Sequence, residues 1–104
     1  MKKLINGKMY NTETADEIAT WGNSYYSSDF HYCQETLYKT KKGAYFIFGK
    51  GGPLSPYAQP SGGTGRTGGS DIVAFSKEEA FAWLELHDLT EEAEEEFPDH
   101  IEEA

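Results

Sequence analysis

Between two short apolar runs, Ala44–Phe48 and Asp71–Phe75, lies a segment that can be neither a helix nor a long strand. Gly49 to Asp71, GKGGPLSPYAQPSGGTGRTGGSD, holds eight glycines and three prolines in 23 residues. Glycine costs a helix interior about 1 kcal/mol and proline about 3 kcal/mol, and proline cannot donate to a sheet ladder. The segment must therefore be loop, and the apolar runs on either side must meet across it. A chain of 104 residues has room for one domain and one modest core. Its aromatic share of 14% lets a few large side chains build that core despite a mean hydropathy of −0.67.

The same segment contains Gly63-x-Gly65-x-x-Gly68, the spacing of a dinucleotide-binding fingerprint. That fingerprint requires a strand before the glycines and a helix starting at them, because the pyrophosphate sits on the helix N-terminus. Here Pro56 and Pro60 precede the motif, and DIVAF after it reads as strand. No phosphate-loop pattern is present either, so no nucleotide or other cofactor is expected. Two readings remain for the loop: a mobile surface connection, or a partner-contact loop carrying Lys50, Tyr57 and Arg66. Loops this long in small domains are often functional.

Elsewhere the punctuation is clearer. Leu4-Ile5 and Met9-Tyr10 flank Asn6-Gly7, which predicts a tight hairpin. Thr14 and Glu17 have capping-box spacing ahead of Ala15, Ile18, Ala19 and Trp21, which predicts a short helix stopped by Gly22-Asn23. Phe30, Tyr32, Gln34, Thr36 and Tyr38 share one parity, as on one face of a strand. Lys41-Lys42-Gly43 is a turn, and the apolar run ending at Phe48 predicts a central strand. DIVAF predicts a strand leading through the Ser76/Glu79 capping box into a helix with Ala80, Trp83, Leu84 and His87 on one face. The expected fold is α+β: a small antiparallel sheet with an N-terminal hairpin, two helices, the long loop and an acidic tail. The domain is expected to span residues 1–88, with residues 89–104 a frayed helix or disordered.

Charge divides the chain at nearly the same place. Residues 1–84 carry nine Lys/Arg and eight Asp/Glu, whereas residues 85–104 carry ten Asp/Glu and no Lys or Arg. This imbalance argues against direct nucleic-acid binding, which needs cationic faces. The acidic stretch either keeps the chain solvated or imitates a phosphate backbone with Glu91, Glu92, Glu94, Glu95 and Glu96. Cys33 is the only cysteine, which excludes an internal disulfide and a zinc site of the usual spacing. His31, His87 and His100 have no companion at metal-ligand spacing. A Cys33–His31 pair could share a strand face, but nothing marks an oxyanion or orienting group beside it. The pattern does not suggest an enzyme. No apolar run reaches membrane-spanning length, so no membrane partner is expected and a cytoplasmic protein is the plain expectation.

INGKMYNTETA, SDFHYCQETLYKTKKGAYFIFGKGGPLSPYA and GGSDIVAFSKEEAFAWLE together resemble small proteins carried by phages, plasmids and integrated elements of Gram-positive bacteria. The resemblance covers roughly residues 2–89, and the chain looks like a type II-A anti-CRISPR. It implies an inhibitor that binds a host CRISPR effector nuclease or its guide-RNA complex and blocks guide or target engagement. The resemblance carries no catalytic motif and misses the acidic tail. Other mobile-element binding modules, such as antirestriction proteins or conjugation regulators, are the alternative, and a small Cys/His enzyme is the third. Two contact sets follow from the residues: a body set of Tyr25, Tyr26, Lys50, Tyr57 and Arg66, and the tail glutamates.

Overall fold

The computed structural model describes residues 1–104. The chain opens with the Asn6-Gly7 hairpin of β1 (Lys2–Ile5) and β2 (Lys8–Asn11). Both turn residues have positive φ, 50° and 78°, as a two-residue hairpin turn requires. Next come β3 (Asp16–Gly22), β4 (Cys33–Lys39) and β5 (Tyr45–Gly51). Two short strands follow, β6 (Gln59–Pro60) and β7 (Arg66–Thr67), then β8 (Gly69–Phe75). The helices α1 (Lys77–Leu86) and α2 (Thr90–Glu96) close the fold. The main sheet is antiparallel in the order β3-β4-β5-β8, so β5 is central as its apolar run predicts. The architecture is α+β. No helix is long and apolar enough to cross a membrane.

The expected helix over Thr14–Gly22 is a strand instead. Ile18, Thr20 and Trp21 are β-branched or aromatic residues that fit a pleated surface. A β-bulge between Glu17 and Ala19 inserts one extra residue against β4, so Ile18 and Ala19 both reach the core. That break in the two-residue period imitates a helical stripe. The Thr14 hydroxyl turns back to the Asn11 carbonyl at 3.4 Å, and the Glu17 carboxylate accepts from Thr20 at 2.9 Å, so no helix cap forms. The next strand also starts later than its parity suggests. Phe30 lies in a turn and Tyr32 just ahead of β4, and only Gln34, Thr36 and Tyr38 share the strand face.

One face of the sheet carries Ala19, Leu37, Tyr45 and Ile47, which pack with Ala80, Trp83 and Leu84 of α1. The Ser76/Glu79 capping box starts α1 as expected, with bonds of 3.1 and 2.8 Å. The helix ends without glycine. Asp88 takes φ +56°, and the Leu89 and Asp88 amides return to Leu84 and Glu85 in a Schellman turn. This turn redirects residues 89–96 back along α1. Consequently Ala93 and Phe97 belong to the same core cluster, and Phe97 is only 4% exposed. Residues 89–97 are therefore part of the domain and not the frayed tail expected beyond residue 88. On the other sheet face, Phe46 and Ile72 are fully buried, with Tyr10 of the hairpin edge-on to Phe46 at 5.5 Å.

Candidate functional site

The glycine-rich segment is the key to the site, and parts of it are strand where the sequence predicts loop. Gly49 and Gly51 are residues of β5, and β6 and β7 form a small hairpin of their own. Gly49 faces the helix side of the sheet, and a β-carbon there would overlap the Tyr57 ring. Gly52 is held by a second close approach, since a β-carbon would sit 2.6 Å from the Phe30 carbonyl oxygen. The Gly52 amide donates to Tyr32 and the Leu54 amide to Phe30, at 2.9 and 2.8 Å. The glycines thus let the first half of the segment lie flat on the sheet and on residues 29–33. The Gly63-x-Gly65-x-x-Gly68 motif falls in the β6–β7 hairpin and runs into β8, with no helix behind it.

Tyr57 is driven into the space Gly49 leaves, and it is only 9% exposed. Its hydroxyl donates to Oε2 of Glu35, while the Trp83 indole donates to Oε1 at 2.9 Å. Burial first, then the Glu35 carboxylate, pushes the tyrosine pKa far up, so it stays a neutral donor. His87, the C-cap residue of α1, stacks on Trp21 with centroids 4.2 Å apart. Its Nε2 lies 3.9 Å from Glu35 Oε1. Burial holds the His87 pKa below the usual imidazole value, more than Glu35 and Asp88 raise it. Cys33 is buried on the same face, and burial followed by Glu35 raises its thiol pKa. Such a thiol is a poor source of thiolate.

These groups surround a cleft of about 480 Å³, with Trp21, Tyr25, Glu35, Leu54, Trp83 and His87 among its walls. His31 and Cys33 also line it, so the pair singled out in the sequence does reach a common cavity. His31, however, faces Asp29 at 3.4 Å, and no hydrogen bond joins it to Cys33. No three His, Cys, Asp or Glu side chains converge as a metal site.

The expected contact residues separate. Tyr25 lines the cleft, and Tyr26 stands beside it at 86% exposure. Lys50 is exposed near the end of β5, and Arg66 lies at the loop hairpin, its Nη2 donating to the Ala58 carbonyl at 3.4 Å. Tyr57 is withdrawn from any partner by its burial. Among the glutamates, Glu91, Glu94 and Glu95 are exposed and Glu92 is half-buried. Glu96 is tied down: Lys39 Nζ donates to its Oε2 at 2.8 Å, and the Tyr45 hydroxyl donates to the same oxygen. Glu35, Trp21 and Trp83 are site residues that no motif in the sequence marks. The available signal was on the other parity of β4, where Glu35 stands between Cys33 and Leu37 on the inward face.

Fold and cleft together define a small α+β domain with an aromatic-walled, carboxylate-floored cleft at one end of its sheet. The chain matches no family model, no curated protein and no solved structure.

Proposed function

We propose that this chain is a non-catalytic protein-binding module that inhibits an RNA-guided CRISPR nuclease or its guide-RNA complex. The observation that carries the binding reading is the apolar edge formed by Tyr25, Tyr26, Phe30 and Leu54, all exposed. Phe30 and Leu54 are joined by a backbone hydrogen bond, so the edge is continuous across two loops. Exposed aromatic groups of this kind, with Lys50 nearby, have the composition of interface hot spots. The raised thiol pKa of Cys33 and its lack of a bonded histidine favour this reading over a small Cys/His enzyme. The nuclease as target rests on the resemblance of residues 2–89 to mobile-element proteins.

The test is a reconstituted DNA-cleavage assay with a type II-A effector and its guide. Inhibition is expected, and Tyr26→Ala or Lys50→Ala should weaken it while the melting temperature holds. Changing Glu91, Glu92, Glu94 and Glu95 together to Gln tests the rival surface. Glu96 is left intact because it braces the fold. Full loss of inhibition in that four-residue variant would transfer recognition to the acidic helix; no inhibition by the wild type would remove the nuclease reading.

A further inference from the structure

We propose that the cleft over Glu35 seats an arginine side chain of the partner protein, an inference that rests on the reading of this chain as a protein-binding module. Glu35 projects from the inward face of β4, yet its side chain keeps 20% exposure and lines the cleft. Its two bonded donors, the Tyr57 hydroxyl and the Trp83 indole, are both neutral. No lysine or arginine lines the cleft. The nearest basic group is His87, 3.9 Å away, whose pKa burial holds below the usual imidazole value. The half-buried carboxylate is therefore held by two neutral donors, with no lysine or arginine of its own chain in the cleft. Buried charges are ordinarily paired.

The geometry suits one kind of cation. An ionised carboxylate has about four acceptor sites, and each Glu35 oxygen already accepts one bond. One site remains on each oxygen, which matches the two-pronged donation of a guanidinium. Tyr25, which is 50% exposed, and Trp21 in the same wall supply aromatic surface on which a guanidinium plane can stack, whereas Trp83 is buried and offers its indole N–H to Glu35. Leu54 and Leu86 stand exposed at the rim, where the methylene stem of an arginine would lie. A lysine ammonium is compact and strongly hydrated, so it would use the carboxylate and waste the ring faces. An anionic ligand would meet Glu35 directly and is excluded by charge.

Trp21 and Trp83 are the only tryptophans of the chain, and both line the cleft, so indole emission reports on it without a label. The free protein is titrated with N-acetyl-arginine amide, and with the lysine and citrulline analogues at equal ionic strength. A saturable emission change is expected with the arginine compound, with citrulline at least about tenfold weaker because it lacks the charge. Lysine should fall between the two. Tyr25→Ala, an exposed rim change, should weaken the response several-fold without moving the melting temperature. Glu35→Gln should abolish it. Gln sets an NH2 group where one carboxylate oxygen accepts from Tyr57 or Trp83, so the fold of this variant is checked by near-ultraviolet circular dichroism, and Tyr25→Ala decides the matter if it unfolds. No saturable response to arginine, an equal response to citrulline, or lysine binding more tightly than arginine would overturn the proposal. The titration contains no nuclease. A silent titration with intact inhibition removes only the arginine seat, and a positive one without inhibition removes only the nuclease.

Discussion

Two tyrosine–glutamate pairs brace opposite ends of the same sheet, and they differ in one respect. At one end Glu96 from α2 accepts from Tyr45 and from Lys39. At the other, Glu35 from β4 accepts from Tyr57 and Trp83 and has no lysine or arginine. Leu37 and Ile47 lie between them, and Cys33 to Lys39 spans about 20 Å at a strand's rise per residue. Each pair fastens a segment that looks peripheral in the sequence: the acidic stretch at the Glu96 end, the glycine-rich stretch at the Glu35 end. One end is internally neutralised, its glutamate bonded to a lysine of the same chain. The other leaves an aromatic cleft with an unneutralised carboxylate, and that difference makes it the end that can still take a partner.

The comparison breaks most visibly at Phe97. It packs against Tyr45 and Phe81, with centroids 5.3 and 5.8 Å away. Phe97→Ala should cost about 3–5 kcal/mol, or more than about 12 °C in melting temperature for a domain of this size. Truncation after Asp88 should cost more, since Leu89, Ala93 and the Glu96 bonds go as well. Removal of residues 101–104 alone should be nearly silent. A chain ending at Asp88 that melts within a few degrees of the full chain would show that the acidic helix does not belong to the domain.

Gly49→Ala probes the other fastened segment. The new methyl must displace Tyr57, so about 1–3 kcal/mol of stability should be lost, and the Tyr57–Glu35 bond with it. In a Tyr57→Ala background the same change should be close to neutral, because the obstructing ring is gone. Denaturant midpoints of the four proteins measure the coupling. Additive losses would mean that the glycine is not there for the tyrosine.

A smaller effect lies in the pH dependence of the Glu96 pair. Lys39 and Tyr45 hold the Glu96 pKa below the ordinary carboxylate value against the opposing effect of burial, the largest single influence. A lowered folded-state pKa means that the stabilisation is present above the unfolded value of about 4.3 and is lost as pH falls through the folded one. Lys39 is partly exposed, so the pair should be worth at most about 1 kcal/mol. Urea midpoints of wild type and Lys39→Gln should differ at pH 7 and converge towards pH 3. The smallest expected effect is that of Tyr26→Ala on stability, within about 0.5 kcal/mol, even where inhibition falls.

Much of the sheet was legible because turn chemistry and capping are local. Asn6-Gly7, the Lys41–Gly43 turn and the Ser76/Glu79 box act within four residues, and each appears where its residues place it. β3 was misread because its bulge depends on pairing with β4, which no local pattern records. The docking of residues 89–97 was missed for a similar reason. Asp88 adopts the left-handed turn conformation that glycine usually announces, so the chain reversal carried no flag. As for the site, Tyr25, Tyr26, Lys50 and Arg66 could be picked out as exposed types, but Tyr57 was placed outside when it is inside.

By itself the sequence determined the elements whose causes are local. These are the hairpin, the central apolar strand, the capped helix, the division of charge, and the fact that a glycine-rich segment must join two strands. Only the tertiary structure decided what the glycines are for. Whether a missing β-carbon gives flexibility or room depends on what lies opposite, and opposite Gly49 is a ring eight residues further along the chain. The same holds for the carboxylates. Glu35 and Glu96 are alike in the sequence, and a charge is structural or available only according to whether packing brings a cation to it.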